Sequence, residues 1–248
     1  MIVQIYEIQS PREAERCIEA GVDHIGSVVL SQAEWMQPEL REVVQVSDGS
    51  RVKNSIIPLF QDLNTLCRVL EYYEPDFIHF CENVTDNEGV ELDLEGFIRV
   101  QSEIKKRFPG IGIIRSIPIP ANGSAPGFPT LKIADQLEQV SDLFLTDTWF
   151  PKGPVKGFLG ITGNRCDWKI ARGLVKQSRI PVILAGGLSP ENVYGALMDV
   201  NPAGADSCTL TNKRDKKGNP IRFQKDFKRV KRFVEEVRRA DLIIRKGV

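Results

Sequence analysis

The stretch PVILAGGLSPENVYGAL, residues 181–197, is where the fold of this chain becomes readable. Pro181 to Ala185 is a short apolar run, the pattern of a strand covered on both faces. Gly186 and Gly187 end it and leave backbone N–H groups bare, with no Cβ to hold a ligand away. Ser189 then stands as a helix N-cap, with Pro190 at the first helical position and Glu191 in the first turn. A strand that ends in glycines before a helix N-terminus suits an anion, phosphate above all. An ordinary strand-to-helix turn uses the same residues, so this stretch alone fits either.

The same alternation fills the chain on both sides. Strand-like runs fall near 2–8, 22–30, 54–60, 76–82, 111–117, 142–147, 181–186 and 204–210. Helical patterns fall near 11–20, 38–47, 62–74, 94–107, 130–140, 168–178, 190–200 and 222–240. Strands that alternate with helices imply a parallel sheet. Eight such units in 248 residues predict an α/β fold, a (β/α)8 TIM barrel formed by residues 1–248 as a single domain. An open doubly wound sheet is the alternative, with fewer strands and a switch point. Ser10, Pro11 and Glu13 punctuate the first helix as cap, first position and capping-box acid, and Gly21 stands where it should stop.

Composition narrows the function classes. Lysine plus arginine equal aspartate plus glutamate at 33 each, so no global charge points to nucleic acid or to an anionic membrane. The basic segment KDFKRVKRFVEEVRR, residues 225–239, carries apolar residues at helical spacing and reads as an amphipathic helix with a solvated face. Cys17, Cys67, Cys81, Cys166 and Cys208 are scattered and odd in number, which predicts a reducing compartment rather than a disulfide frame or structural zinc. No run approaches the ~20 apolar residues of a membrane span. A soluble cytoplasmic protein is expected, as a monomer or a homodimer.

In a barrel, chemistry sits at the C-terminal ends of the strands and in the loops that follow. Polar residues there are Tyr6, Glu7, Glu34, Cys81, Glu82, Arg115, Asp147, the Gly186–Gly187 pair and Thr209. Asp147 follows an apolar strand, where burial would raise its pKa toward acid–base values. His79 alternates with apolar residues and reads as a core histidine, while His24 lies at a strand start. No lysine stands at a strand end, against a Schiff-base aldolase, and two histidines cannot build a multi-histidine metal site. The loops 118–129 and 149–163 are long and rich in glycine and proline, as lids are. Asp167 caps the next helix, which by itself accounts for it.

Together these motifs resemble the phosphoribosylanthranilate isomerase family. Gly160-Ile-Thr-Gly163 with Asp167-Trp168 is similar to the family's sixth loop, and Leu184 to Val193 to its seventh strand and loop. Gly204 to Thr209 is a looser match to the eighth strand, and Lys225-Asp226 to a late Lys-Asp pair. The resemblance is strong from about Asp142 to Phe233. It implies an aldose–ketose isomerase of tryptophan biosynthesis that performs an Amadori rearrangement on a phosphorylated small molecule without metal or cofactor. It implies phosphate binding by Gly163, Gly186, Gly187, Cys208 and Thr209, substrate contacts from Arg115, Asp167 and Glu34, and Asp147 as the acid. Tyr6 stands where the family has its cysteine base, which leaves Tyr6, Glu7, Cys81 or Glu82 for that role. Glu34 stands near the family's carboxylate-binding arginine. Three readings follow: an isomerase on the family's substrate, a relative acting on another sugar phosphate, or a non-catalytic binder of a phosphorylated ligand.

Overall fold

The computed structural model describes residues 1–247 apart from 122, 124 and 126, which fall within the predicted loop 118–129. The strands β1 (Ile2–Ile5), β2 (His24–Val29), β3 (Lys53–Pro58), β4 (Phe77–Phe80), β5 (Gly112–Pro120), β6 (Leu143–Trp149), β7 (Val182–Leu184) and β8 (Gly204–Ser207) close into a parallel barrel. Ile2 to Ile5 of β1 pair with Gly204 to Ser207 of β8, which shuts the ring. Between strands run α1 (Pro11–Glu19), α2 (Pro38–Gln45), α3 (Leu63–Tyr73), α4 (Glu95–Arg107), α5 (Thr130–Leu137), α6 (Trp168–Gln177) and α7 (Val193–Val200). The chain is a (β/α)8 TIM barrel, as predicted.

Two layers of apolar packing follow from strand alternation. Outward residues such as Val3, Ile5, Ile25, Ile56 and Ile113 form the core beneath the helices. Inward residues Ile114, Leu143, Leu145, Ile183 and Ala185 fill the barrel with the ring of Tyr6. The cap expected at Ser10 is made, the backbone N–H of Glu13 donating to Ser10 Oγ, and α3 is capped in the same way by Asp62, whose Oδ1 accepts from Thr65 N–H.

Two local expectations fail. Helix α7 starts at Val193 rather than Pro190, because Ser189 to Asn192 close a turn first: Asn192 Oδ1 accepts from Ser189 N–H and its Nδ2 donates to the Gly187 carbonyl. The expected helix over 222–240 forms as α8 (Phe227–Lys246) with Asp226 as N-cap, but its first residues, 222–225, belong instead to β10 (Pro220–Lys225), which pairs with β9 (Asn212–Arg214) in a hairpin. The eighth strand ends at Ser207, short of 210, and a 3-10 turn at Thr209–Thr211 leads into that hairpin. No helix among the described residues is long and apolar enough to cross a membrane.

Candidate active site

A cleft opens at the C-terminal ends of the strands, where a barrel carries its chemistry. Gly163, Gly186, Gly187, Cys208 and Thr209 line one side of it. The N–H groups of Gly163, Gly186 and Gly187 take part in no hydrogen bond among the described residues. The three glycines also have left-handed backbones, and they interlock neighbouring loops. A Cβ on Gly187 would lie 2.5 Å from the backbone carbon of Asn164, and one on Gly186 2.4 Å from Thr148 Oγ1. A Cβ on Gly163 would meet Thr209 at 3.2 Å. Bare N–H groups at the junction of three loops suit an anion without any side-chain cation.

Opposite charge logic governs the floor. Asp147, from β6, is partly buried, and burial holds its proton up to about 7. Its Oδ1 accepts from Thr148 N–H at 2.9 Å, and Gly160, itself left-handed, lies against its other oxygen so closely that a Cβ would sit 2.1 Å away. Asp206, from β8, is buried beside it with its proton held up to about 8, first by burial and then by the charge of Asp147. Its carboxyl accepts from Gln4 Nε2 at 3.4 Å. Burial raises both carboxyls, and the charge of Asp147 raises Asp206 further, so the pair resists giving up both protons near neutral pH. In the sequence, Asp206 enters only as part of the eighth-strand motif. Its signal is an acidic residue at an inward position of a strand, visible once β8 is in register with Gln4.

Of the four side chains expected to be catalytic, Asp147, Tyr6, Glu7 and Cys81 all line the cleft. Only Asp147 has the ionisation such a role needs. The Tyr6 hydroxyl shares hydrogen bonds with Ser55 Oγ (2.8 Å) and His79 Nδ1 (2.7 Å), and His79 Nε2 with Ser116 Oγ (2.8 Å). Burial pushes the Tyr6 phenol well above its ordinary value and His79 down to about 3, so this wire is neutral. The Tyr6 ring lies over Gly26, where a Cβ would come within 2.0 Å of it. Burial also drives the Cys81 and Cys208 thiols upward, Cys81 further under the charges of Glu82 and Asp147. Tyr6 and Cys81 therefore keep their protons at neutral pH, against their expected use as a base. Glu7 has a left-handed backbone (φ 63°) and a carboxylate that stays ionised, because Lys225 and Arg222 outweigh its burial.

The three residues expected to contact substrate are elsewhere. Strand β5 runs on to Pro120, so Arg115 is mid-strand rather than at the end, and alternation turns it outward. There it is buried against α4, donating to Glu82 Oε2 and to the Glu82 carbonyl, both at 2.7 Å. Glu82 is thereby committed as well and is no candidate base. Asp167 caps α6 through the N–H groups of Lys169 and Ile170. Glu34 is exposed in the loop after β2 and does not line the cleft.

Residues 99–209, which include Asp147, Asp206 and all three cradle glycines, match the model of the family PRAI, N-(5'phosphoribosyl)anthranilate (PRA) isomerase. The chain is similar to PRA isomerases. It is 28% identical over 236 residues to the N-(5'-phosphoribosyl)anthranilate isomerase of Methanocella arvoryzae, covering 95% of this chain and 97% of that one. It is 39% identical over 104 residues to N-(5'-phosphoribosyl)anthranilate isomerase 2 of Methanosarcina mazei, 42% of each. The solved PRA isomerase of Thermotoga maritima superposes with a TM-score of 0.68 at 21% identity, over 96% of this chain and 99% of that one. That likeness speaks for the barrel. The match to the PRA isomerase family starts well before Asp142, where the resemblance read from the sequence becomes strong, and stops before the β9–β10 hairpin. Lys225 and Asp226, the late pair of that resemblance, end the hairpin: Lys225 is buried, and Asp226 caps α8.

Proposed function

We infer that the protein is a phosphoribosylanthranilate isomerase, converting an N-linked phosphoribosyl aldose to the aminoketose in tryptophan biosynthesis. The observation that carries this reading is a pair of proton-sharing carboxyls beside a glycine cradle, within a chain similar to PRA isomerases over nearly its whole length.

The chemistry requires two protons in and two protons out. A proton delivered to the furanose oxygen opens the ring and leaves an iminium at C1′. The iminium acidifies C2′, whose proton is removed to give an enolamine, and the enolamine ketonises when C1′ takes up a proton and the C2′ hydroxyl releases one. No proton is gained or lost overall. Asp147 serves as the acid at the ring oxygen and Asp206 as the base at C2′ from the state of the pair in which the shared proton lies on Asp147 rather than on Asp206, the base being the role that the neutral Tyr6 and Cys81 leave open. The phosphate rests on the N–H groups of Gly163, Gly186 and Gly187 with Cys208 and Thr209 beside them, and anchors the reacting carbons over the pair. The substrate is thus a phosphorylated small molecule, and the reaction calls on no cofactor. A cytoplasmic monomer or homodimer suits this role.

The test is turnover of PRA by the purified protein beside Asp147→Asn and Asp206→Asn. Each substitution is expected to lower kcat by about a hundredfold or more, as loss of a positioned acid or base does. The wild-type rate is expected to peak between pH 7 and 8, where the pair holds one proton. Turnover that survives Asp206→Asn refutes that residue as base. A wild type that binds ribose 5-phosphate but does not turn over PRA refutes the substrate.

A further inference from the structure

PRA carries two anionic groups, a phosphate at one end and an aryl carboxylate at the other. The glycine N–H groups meet the first. The second must be met in a cleft whose other acidic walls are Glu7, Asp147 and Asp206. Among the described residues lining that cleft, the one permanent cation is Arg222. It comes from β10, in the hairpin that follows the eighth strand and reaches across the mouth to the end of β1.

Arg222 is held by one edge only. Its Nε donates to Glu7 Oε1 at 2.7 Å, while Nη1 and Nη2 make no hydrogen bond among the described residues. Glu7 does not depend on it. Asn212 Nδ2 donates to Glu7 Oε2 at 3.2 Å, and the Oδ1 of the same amide accepts from the buried Lys225 Nζ. Lys225 lowers the Glu7 carboxyl by its charge alongside Arg222. One buried carboxylate therefore has two cations. The Glu7 side chain is 2% exposed and that of Arg222 is 38% exposed, so Arg222 is the partner with charge and donors to spare.

We propose that Arg222 receives the aryl carboxylate of the substrate through Nη1 and Nη2 while its Nε keeps hold of Glu7. The fork geometry allows both at once, since a guanidinium presents one edge through Nε and its end through the two terminal nitrogens. Glu7 is then a positioning residue, and Lys225 with Asn212 keeps it charged. The proposal rests on PRA as the substrate.

Calorimetric titration of the full chain with two probes separates the possibilities. One probe is ribose 5-phosphate, which has the phosphate and no carboxylate. The other is reduced 1-(o-carboxyphenylamino)-1-deoxyribulose 5-phosphate, which has both and is the ligand in a solved PRA isomerase complex. Arg222→Gln is expected to weaken the second probe by about 10- to 100-fold and the first by less than about threefold, the loss appropriate to a charged hydrogen-bonded pair. Arg222→Lys keeps the charge without the fork and is expected to fall between wild type and Arg222→Gln for the second probe. Equal weakening of both probes overturns the proposal, because Arg222 would then serve the phosphate or the fold. So does no weakening of either. A wild type that turns over PRA, with both variants equal to it in KM, refutes Arg222 alone. A wild type that binds only ribose 5-phosphate refutes the substrate, and the proposal with it.

Discussion

Replacing Asp147 by asparagine removes a titrating carboxyl while keeping its shape, and the structure sets the size of the effect on stability. The amide oxygen still accepts from Thr148 N–H, and the amide nitrogen fills the space under Gly160. In the folded protein the carboxyl keeps its proton up to about 7; its ordinary value is 3.8. A carboxyl raised on folding stabilises the fold fully below the unfolded value, and that stability is lost as pH rises through the folded value. The interval spans about three pH units at about 1.4 kcal/mol each, so ionisation of Asp147 costs the wild type about 4 kcal/mol by pH 8. The Asp147→Asn variant carries no such cost, and Asp206 gains as well, since the charge of Asp147 is one cause of its raised value. The expected result of urea unfolding at several pH values is a stability difference, Asp147→Asn minus wild type, that grows by about 4 kcal/mol between pH 4 and pH 8 and then levels off. All titrating groups other than Asp206 are shared and cancel. A difference that stays flat to within about 1 kcal/mol would mean that Asp147 titrates like a solvated carboxyl, and the acid–base pairing with Asp206 would fall with it.

Three further outcomes check the rest of the site. Arg115→Ala strands the buried Glu82 carboxylate and is expected to cost about 3–5 kcal/mol in unfolding experiments, yet to leave the KM for PRA unchanged where the variant is folded; a large rise in KM would return Arg115 to the substrate site. Tyr6→Phe leaves Ser55 Oγ and His79 Nδ1 unpaired, at about 1–3 kcal/mol in stability, with kcat within about threefold of wild type. Loss of turnover in that variant would make the phenol a catalytic group after all. Gly187→Ala pushes a Cβ into the Asn164 backbone from a left-handed conformation, and its ribose 5-phosphate affinity should fall by about tenfold or more. Unchanged affinity, read by calorimetry, would place the phosphate elsewhere.

The barrel was legible because its determinants are local. Apolar runs of strand length, caps such as Ser10 and Asp167, and glycines at strand ends each act within a few residues of themselves. The glycine turn proposed to hold the phosphate was legible for the same reason, since an uncovered backbone at Gly186 and Gly187 follows from the absence of a side chain. Asp147 could be placed because it lies within two residues of the end of its strand.

What failed turned on length and register. Extending β5 from 117 to Pro120 converts Arg115 from a strand-end residue into an outward mid-strand one, and no local pattern marks where the strand stops. The β9–β10 hairpin was hidden because its alternating charged and apolar residues also fit the start of a helix. The sequence by itself determined the eightfold strand–helix alternation and the glycines that end the seventh strand. Only the tertiary structure decided which polar groups face one another: Asp206 beside Asp147, Tyr6 on His79, and Arg222 across the mouth on Glu7. Those pairings join residues as far apart as 7 and 222, and barrel closure alone sets their burial, which decides which of them carries charge.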